Sequence, residues 1–355
     1  MKKYFFLSLL SLLSLLISFS IIFFGFETFF RIQKNGFIKG IKSWFFIEVP
    51  KNNLGSNEFI IEDEKLSYRL NPNLPEINQY SMKNDEIIIP KPNGIKRIAI
   101  LGDSVSYYGN PNFVDLLKEK FKENKTIEVI NASTPGYTTY QEMIFLENYL
   151  IKIDPDLVIL DYVLNDNHKF LYKFDEKLGI LWSNRTEEAE KSLFINNGLD
   201  TLVDKSYLLS YLKILLVEKE KQNKLKESEF WWENSVDFNT AWKDSSWPDF
   251  EKQLSTMNSL LKKQNSQLLV VIFPIEAQID SFFLNKDAKY ITKPQQKVAY
   301  YSNKNKIPYL DLFSSFYYEK NKENSSKIYL DGVHLTKEGH VITAEEIYNF
   351  ILENL

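Results

Sequence analysis

The chain of 355 residues contains no cysteine. That excludes disulfides, thiolate zinc sites, iron–sulfur clusters and a cysteine nucleophile. It leaves the redox compartment open, because a chain without thiols suits either environment. Histidine is nearly as scarce: His168, His334 and His340 are the only three, so any imidazole chemistry runs through one of them. No two of them have metal-ligand spacing, and neither a metal nor a cofactor is expected. Positive charge is not in excess, with 43 Lys and Arg against 47 Asp and Glu. A general nucleic-acid binder needs a cationic face, so that class is excluded. Glycine is limited to 12 positions, and Gly102, Gly136 and Gly332 all fall in the motifs described below. What the chain does have is apolar and aromatic content, 44 % and 15 %, enough for a sizeable core.

The N-terminus carries one long apolar run. From Tyr4 to Phe26 no residue is charged. Those 23 residues, as a helix, span a hydrocarbon core of about 30 Å. A cleavable signal peptide has a shorter apolar region and a small-residue cleavage site. Here bulky Phe23, Phe24, Phe26, Phe29 and Phe30 hold the far end. We read residues 1–30 as a cytoplasmic tip and an uncleaved transmembrane signal anchor, with a cleaved signal as the alternative. Lys2 and Lys3 precede the run, and Arg31 and Lys34 follow it. The cations nearest the span lie on its N-terminal side, which favours that end inside and a single-pass protein with an extracytoplasmic body.

Residues 31–94 show no clean period and contain the turn-rich stretches 51–57 and 71–75. They read as a juxtamembrane stalk that partly packs on the body. From Arg97 the pattern changes. Short apolar runs at 97–101, 127–131, 157–160, 267–274 and 308–312 read as strands. Helical patterns occupy 113–123, 140–153, 250–264, 293–304 and 336–352, the last with Thr336 as a cap. Strands separated by helices predict an α/β domain over 95–355, with a parallel sheet of about five strands covered on both faces. Sites in such sheets form at the carboxyl ends of strands. The segment 169–249 is too long for a plain loop and reads as a mostly helical insertion, with a helical pattern over 202–221. Trp231, Trp232, Trp242 and Trp247 in it either pack the insertion on the body or wall a substrate site.

The chemistry falls at strand ends. Gly102-Asp103-Ser104 follows the first strand and presents a serine at the sheet rim, although Asp-Ser there also suits a helix cap. Asp331-Gly332-Val333-His334 places a carboxylate three residues before an imidazole. On a turn that spacing lets Asp331 accept from Nδ1–H and leaves Nε2 as a base. Gly136 after the second strand and Asn165 after the third can each supply a hydrogen-bond donor to an oxyanion. Each also has a plain reading, an ordinary turn and a loop cap. His168 reads as a loop histidine or a site neighbour, and His340 as structural.

In this order, Gly102-Asp103-Ser104-Val105, Gly136, Asn165-Asp166 and Asp331-Gly332-Val333-His334 resemble the blocks of the SGNH/GDSL hydrolase superfamily over about residues 95–355. Val105 stands where leucine is usual, and Val163 where the third block usually has glycine. The resemblance implies a flavodoxin-like three-layer sandwich and a serine esterase. Ser104 would be nucleophile, His334 base and Asp331 its orienting partner. The oxyanion hole would comprise the Ser104 N–H, the Gly136 N–H and the Asn165 side chain. With a membrane anchor, the arrangement resembles bacterial envelope proteins that remove or transfer O-acyl groups on glycans. Three functions are expected to compete. They are hydrolysis of an O-acyl ester (O-acetyl on an envelope carbohydrate), O-acyl transfer by the same triad, and a non-catalytic glycan-binding or scaffold role.

Overall fold

The computed structural model describes residues 2–35, 59–175, 180–183, 206, 208–209, 230–235 and 237–354. The chain divides into two compact units. One comprises Met1–Leu54, Asp175–Ile180 and Arg185–Glu229, the other Gly55–Phe174, Leu181–Asn184 and Phe230–Leu355.

The first unit contains the helix α1 (Lys2–Asn35). Leu15, Phe19 and Ile21 on it are largely exposed. Among the described residues no helix is long and apolar enough to cross a membrane. The expected transmembrane span is therefore not supported by the structure and rests on the sequence alone. Glu27 is buried and holds this unit's polar contacts together. One carboxylate oxygen accepts from Arg31 Nε at 2.8 Å. The other accepts from the Ser206 hydroxyl at 2.7 Å and the Leu208 N–H at 2.8 Å. Apart from Ser206, Leu208 and Leu209, the helix expected over 202–221 lies outside the described residues, as does the turn expected at 51–57.

Past α1 the described chain begins with β1 (Ile60–Asp63), β2 (Ser67–Leu70), β3 (Lys96–Leu101), α2 (Ser104–Tyr107), α3 (Phe113–Phe121) and β4 (Ile127–Asn131). Next come α4 (Thr139–Asn148), β5 (Leu157–Tyr162), β6 (Tyr172–Asp175), β7 (Ile180–Ser183), α5 (Trp247–Lys262) and β8 (Gln267–Ile272). The last elements are α6 (Ser281–Ile291), α7 (Lys293–Lys304), β9 (Tyr309–Asp311), α8 (Phe313–Asn321) and α9 (Lys337–Asn354).

Five strands form one parallel sheet in the order β4-β3-β5-β8-β9. Counted along the chain this is 2-1-3-4-5, the flavodoxin-like doubly wound order. The strands read as continuous apolar runs because helices cover both faces. Alternate residues serve the two layers. Ala99, Leu101, Val158, Leu160, Val270 and Ile272 pack with α4, α5 and α7. Ile98, Ile100, Leu157, Ile159, Leu269 and Val271 pack with α3, α8 and α9.

Three details refine the sequence reading. The expected helix 140–153 ends at Asn148, and a 3-10 turn covers Leu150–Ile153. Pro155 disfavours the α region for Asp154, which closes that turn left-handed at φ 56°. The stretch expected to pack partly on the body supplies the antiparallel pair β1–β2 and buries Leu66 and Tyr68 in the main core. Finally, Trp232, Trp242 and Trp247 are buried in that same core, with the first two stacked at 5.6 Å. They pack the chain together.

Candidate active site

β3 lies between β4 and β5, so the loops leaving these three strands meet at one rim. Hydrogen bonds tie them together. Thr134 N–H donates to Gly102 O at 2.9 Å, and Asn131 Nδ2 to Ser106 O at 3.2 Å. Asn165 Nδ2 donates to Asp103 Oδ2 at 2.8 Å. Gly102 is required here by close approach, not by a sharp turn. A Cβ at this position would collide with the buried Asp161 carboxyl.

Asp103 caps α2 by accepting the Val105 N–H at 2.8 Å. Its cap role and the presentation of Ser104 are therefore both realised, since Ser104 opens α2 immediately after it. Ser104 Oγ lies 2.9 Å from His334 Nε2, and His334 Nδ1 lies 2.7 Å from Asp331 Oδ2. A carboxylate only accepts, so Nδ1 carries the hydrogen and Nε2 is left to accept from the Ser104 hydroxyl. The second Asp331 oxygen accepts the N–H of His334 at 2.9 Å and of Val333 at 3.1 Å. Burial raises the Asp331 carboxyl, but the His334 imidazole and these two N–H groups outweigh it and hold it below its usual range. Asp331 thus stays ionised beside the imidazole.

Asn165 sits in a 3-10 turn, Leu164–Asn167, directly after β5. One hydrogen of its amide goes to Asp103, which leaves the other available to a ligand. Val163 adopts φ −121°, extended backbone open to any residue, so the departure from glycine does not disturb the loop. Gly136 has φ +78°. A Cβ there would stand 2.5 Å from Tyr172 Cδ2 and 2.8 Å from the Tyr68 hydroxyl. The loop conformation therefore demands glycine in both φ and space.

The other two histidines lie apart from the triad contacts. His168 Nε2 is 3.1 Å from Asp237 O. His340 is buried, and its Nδ1 accepts the N–H of Phe113 at the start of α3. Burial lowers its imidazole to about 4, so it stays neutral and structural. Thr336 Oγ1 accepts the Gly339 N–H at 3.3 Å ahead of α9, as its capping role requires.

Behind this rim lies a set of buried acids, Asp161, Asp166 and Glu142, of which the sequence reading named only Asp166, beside Asn165 and with no role of its own. Burial, then the neighbouring carboxylates including Asp103, pushes all three well above the usual range. Asp166 accepts the Val163 N–H at 2.7 Å, and Asp161 accepts from the Ser106 hydroxyl. The available signal was Asp161 itself, a polar residue inside an otherwise apolar strand. Tyr108 was also missed. Its ring meets the His334 imidazole edge-on at 5.7 Å.

The model of the GDSL-like Lipase/Acylhydrolase family matches residues 100–342. No curated protein matches the chain. Solved structures are similar at low identity. An acetyl xylan esterase, AlAXEase, is 15 % identical, with 72 % of this chain and 99 % of that one covered and a TM-score of 0.43. A putative acylhydrolase from Bacteroides fragilis is 18 % identical, over 76 % and 91 % of the two chains, with a TM-score of 0.40. A catalytic mutant of an acetylxylan esterase from Geobacillus stearothermophilus is 12 % identical, over 72 % and 94 %, with a TM-score of 0.43.

Proposed function

The chain belongs to the GDSL-like lipase/acylhydrolase family and is an ester hydrolase, and we propose that it works through Ser104, His334 and Asp331. The observation that carries this is the unbroken hydrogen-bonded line from Asp331 through His334 to Ser104, at 2.7 and 2.9 Å. His334 Nε2 takes the Ser104 proton as Oγ attacks the ester carbonyl. The Ser104 N–H, the Gly136 N–H and the Asn165 amide receive the developing oxyanion. Collapse of the tetrahedral intermediate breaks the bond to the alcohol, which leaves with the proton from His334. Water, deprotonated by the same imidazole, then attacks the acyl-serine, and the acyl–Oγ bond breaks to release the acid as His334 returns the proton to Ser104 Oγ. Asp331 keeps the ring in the required tautomer throughout.

Hydrolysis is favoured over transfer to a second alcohol. The matched family is one of lipases and acylhydrolases, and the His334 and Asp331 side chains, 32 % and 57 % exposed, stand open to water. The proposed substrate is an O-acyl ester, O-acetyl on an envelope carbohydrate, as the resemblance to envelope deacylases implies. Residues 4–26 are proposed as the membrane anchor of an extracytoplasmic body. The uncharged run of 23 residues supports this.

The triad is tested by labelling with a fluorophosphonate and by acetate release. The label is expected on Ser104 alone, and Ser104→Ala should lose both label and activity. Label on another serine, or wild-type hydrolysis by Ser104→Ala, overturns the assignment. The anchor is tested by alkaline extraction of membranes, which should leave the full chain in the pellet and release a chain lacking 4–26. Release of the full chain overturns it.

A further inference from the structure

We propose that Tyr108 is the platform on which the alcohol half of the ester rests, and that this half is a pyranose ring. The inference rests on the hydrolase reading above and adds to it the residue that receives the sugar ring. The imidazole that takes the serine proton must return it to the departing alcohol oxygen. The alcohol therefore stands within hydrogen-bond reach of His334 Nε2. Side chains around that imidazole meet the alcohol.

Tyr108 stands beside that imidazole. Its ring and the His334 ring meet edge-to-face, with centroids 5.7 Å apart and planes at 73°. It directly follows α2, and its N–H donates to Ser104 O at 2.9 Å. The ring is therefore fixed to the nucleophile by one turn of backbone. Tyr107 braces it edge-on at 5.4 Å. Tyr107 is itself buried, held edge-on by Phe59 at 5.7 Å, with Lys83 Nζ 4.5 Å from its ring centre. Despite this bracing Tyr108 remains 48 % exposed.

A rigid aromatic ring kept half in water beside a base has no use in the core. Its face suits a flat ligand with an apolar side and a polar edge. A pyranose presents axial C–H groups to such a face and hydroxyls at its rim, where a phenolic hydroxyl can pair with them. An alkyl alcohol needs a continuous apolar groove instead. The triad loop offers only one further exposed apolar side chain, Leu330.

The test compares two acetate esters on the full chain, ethyl acetate and methyl 6-O-acetylglucopyranoside. Tyr108→Ala should lower the ratio of kcat/KM for the sugar ester to that for ethyl acetate by about tenfold, mainly through KM. Tyr108→Trp should hold the ratio within about threefold. An unchanged ratio in Tyr108→Ala, with both esters slowed alike, means that the ring only supports His334 and overturns the proposal. A binding arm separates this from failure of the hydrolase reading. Ser104→Ala, which cannot turn over, is titrated calorimetrically with the sugar ester. Added Tyr108→Ala should raise Kd about tenfold. Unchanged Kd, or no binding to Ser104→Ala, overturns the inference. Absence of hydrolysis by the wild-type chain overturns the hydrolase reading alone.

Discussion

Asp331 grips His334 twice, through the ring Nδ1 at 2.7 Å and through the backbone N–H at 2.9 Å, with one carboxylate oxygen for each. The backbone contact fixes where the carboxylate is, and the ring contact fixes how the imidazole is turned. A partner three residues away can do both only on a tight loop. That loop is closed by the Leu330 N–H to His334 O bond at 2.7 Å.

Asp331→Asn should lower kcat by about 10⁴, because the amide can donate to the imidazole and hold the wrong tautomer. The Asp331 side chain is 57 % exposed, so the melting temperature should move little. In the wild type Asp331 is held below its usual range, and it stays charged over about pH 5–8. Stopped-flow ester hydrolysis with wild-type kcat in the variant would reduce Asp331 to a loop cap.

Asn165→Ala should separate two roles. Loss of an oxyanion donor lowers kcat by roughly 10²–10³ with a smaller change in KM. Loss of the 2.8 Å bond to Asp103 also strands a buried carboxyl oxygen, at a cost of about 1–3 kcal/mol. Steady-state kinetics and urea denaturation on the same sample read both. A pure KM effect would make Asn165 a substrate contact, and unchanged stability would show that Asp103 finds another donor.

His340 predicts a pH dependence of stability. Its imidazole is lowered by burial to about 4, whereas in the unfolded chain it titrates near 6.5. Between those values the unfolded chain binds a proton that the folded chain refuses. Stability therefore falls as the pH drops from about 6.5 to 4, by roughly 3 kcal/mol in total. Asn at this position keeps an acceptor for the Phe113 N–H and does not titrate. Denaturation of His340→Asn should show a flatter profile over that interval. Parallel slopes for the two chains would remove His340 as the cause.

Gly102 and Asp161 should be coupled. Gly102→Ala drives a methyl into the Asp161 carboxyl, and overpacking of this kind costs about 1–3 kcal/mol. Asp161→Ala removes the atoms it would strike. In a double-mutant cycle the alanine at 102 should cost at least about 1 kcal/mol less when Asp161 is already Ala. Additive effects would mean that the glycine serves the backbone.

The five sheet strands were legible because each is an apolar run between breakers. The site was legible where its parts are local, as in Asp331 to His334. Other features depend on partners distant in the chain. β2 places Tyr68 and Leu70 inward but is only four residues long, too short to stand out by alternation. Glu142 sits in a helix that reads as ordinary, and besides burial it is Asp166 and Asp161, distant in the chain, that raise its carboxyl. The crowding at Gly102 comes from Asp161, 59 positions later and invisible from its neighbourhood. The transmembrane span is the opposite case, a strong local signal that the structure does not support.

Ser104 and His334 are 230 residues apart in the chain. At 5–20 residues per second, synthesis between them takes roughly 10–50 s. Throughout that interval the emerging chain carries its serine without its base. The sheet must also wait for β8 and β9 before the face that packs α9 is complete. Competence for chemistry thus arrives last, as the C-terminal loop docks. A prematurely ended chain carries its nucleophile and no means of using it.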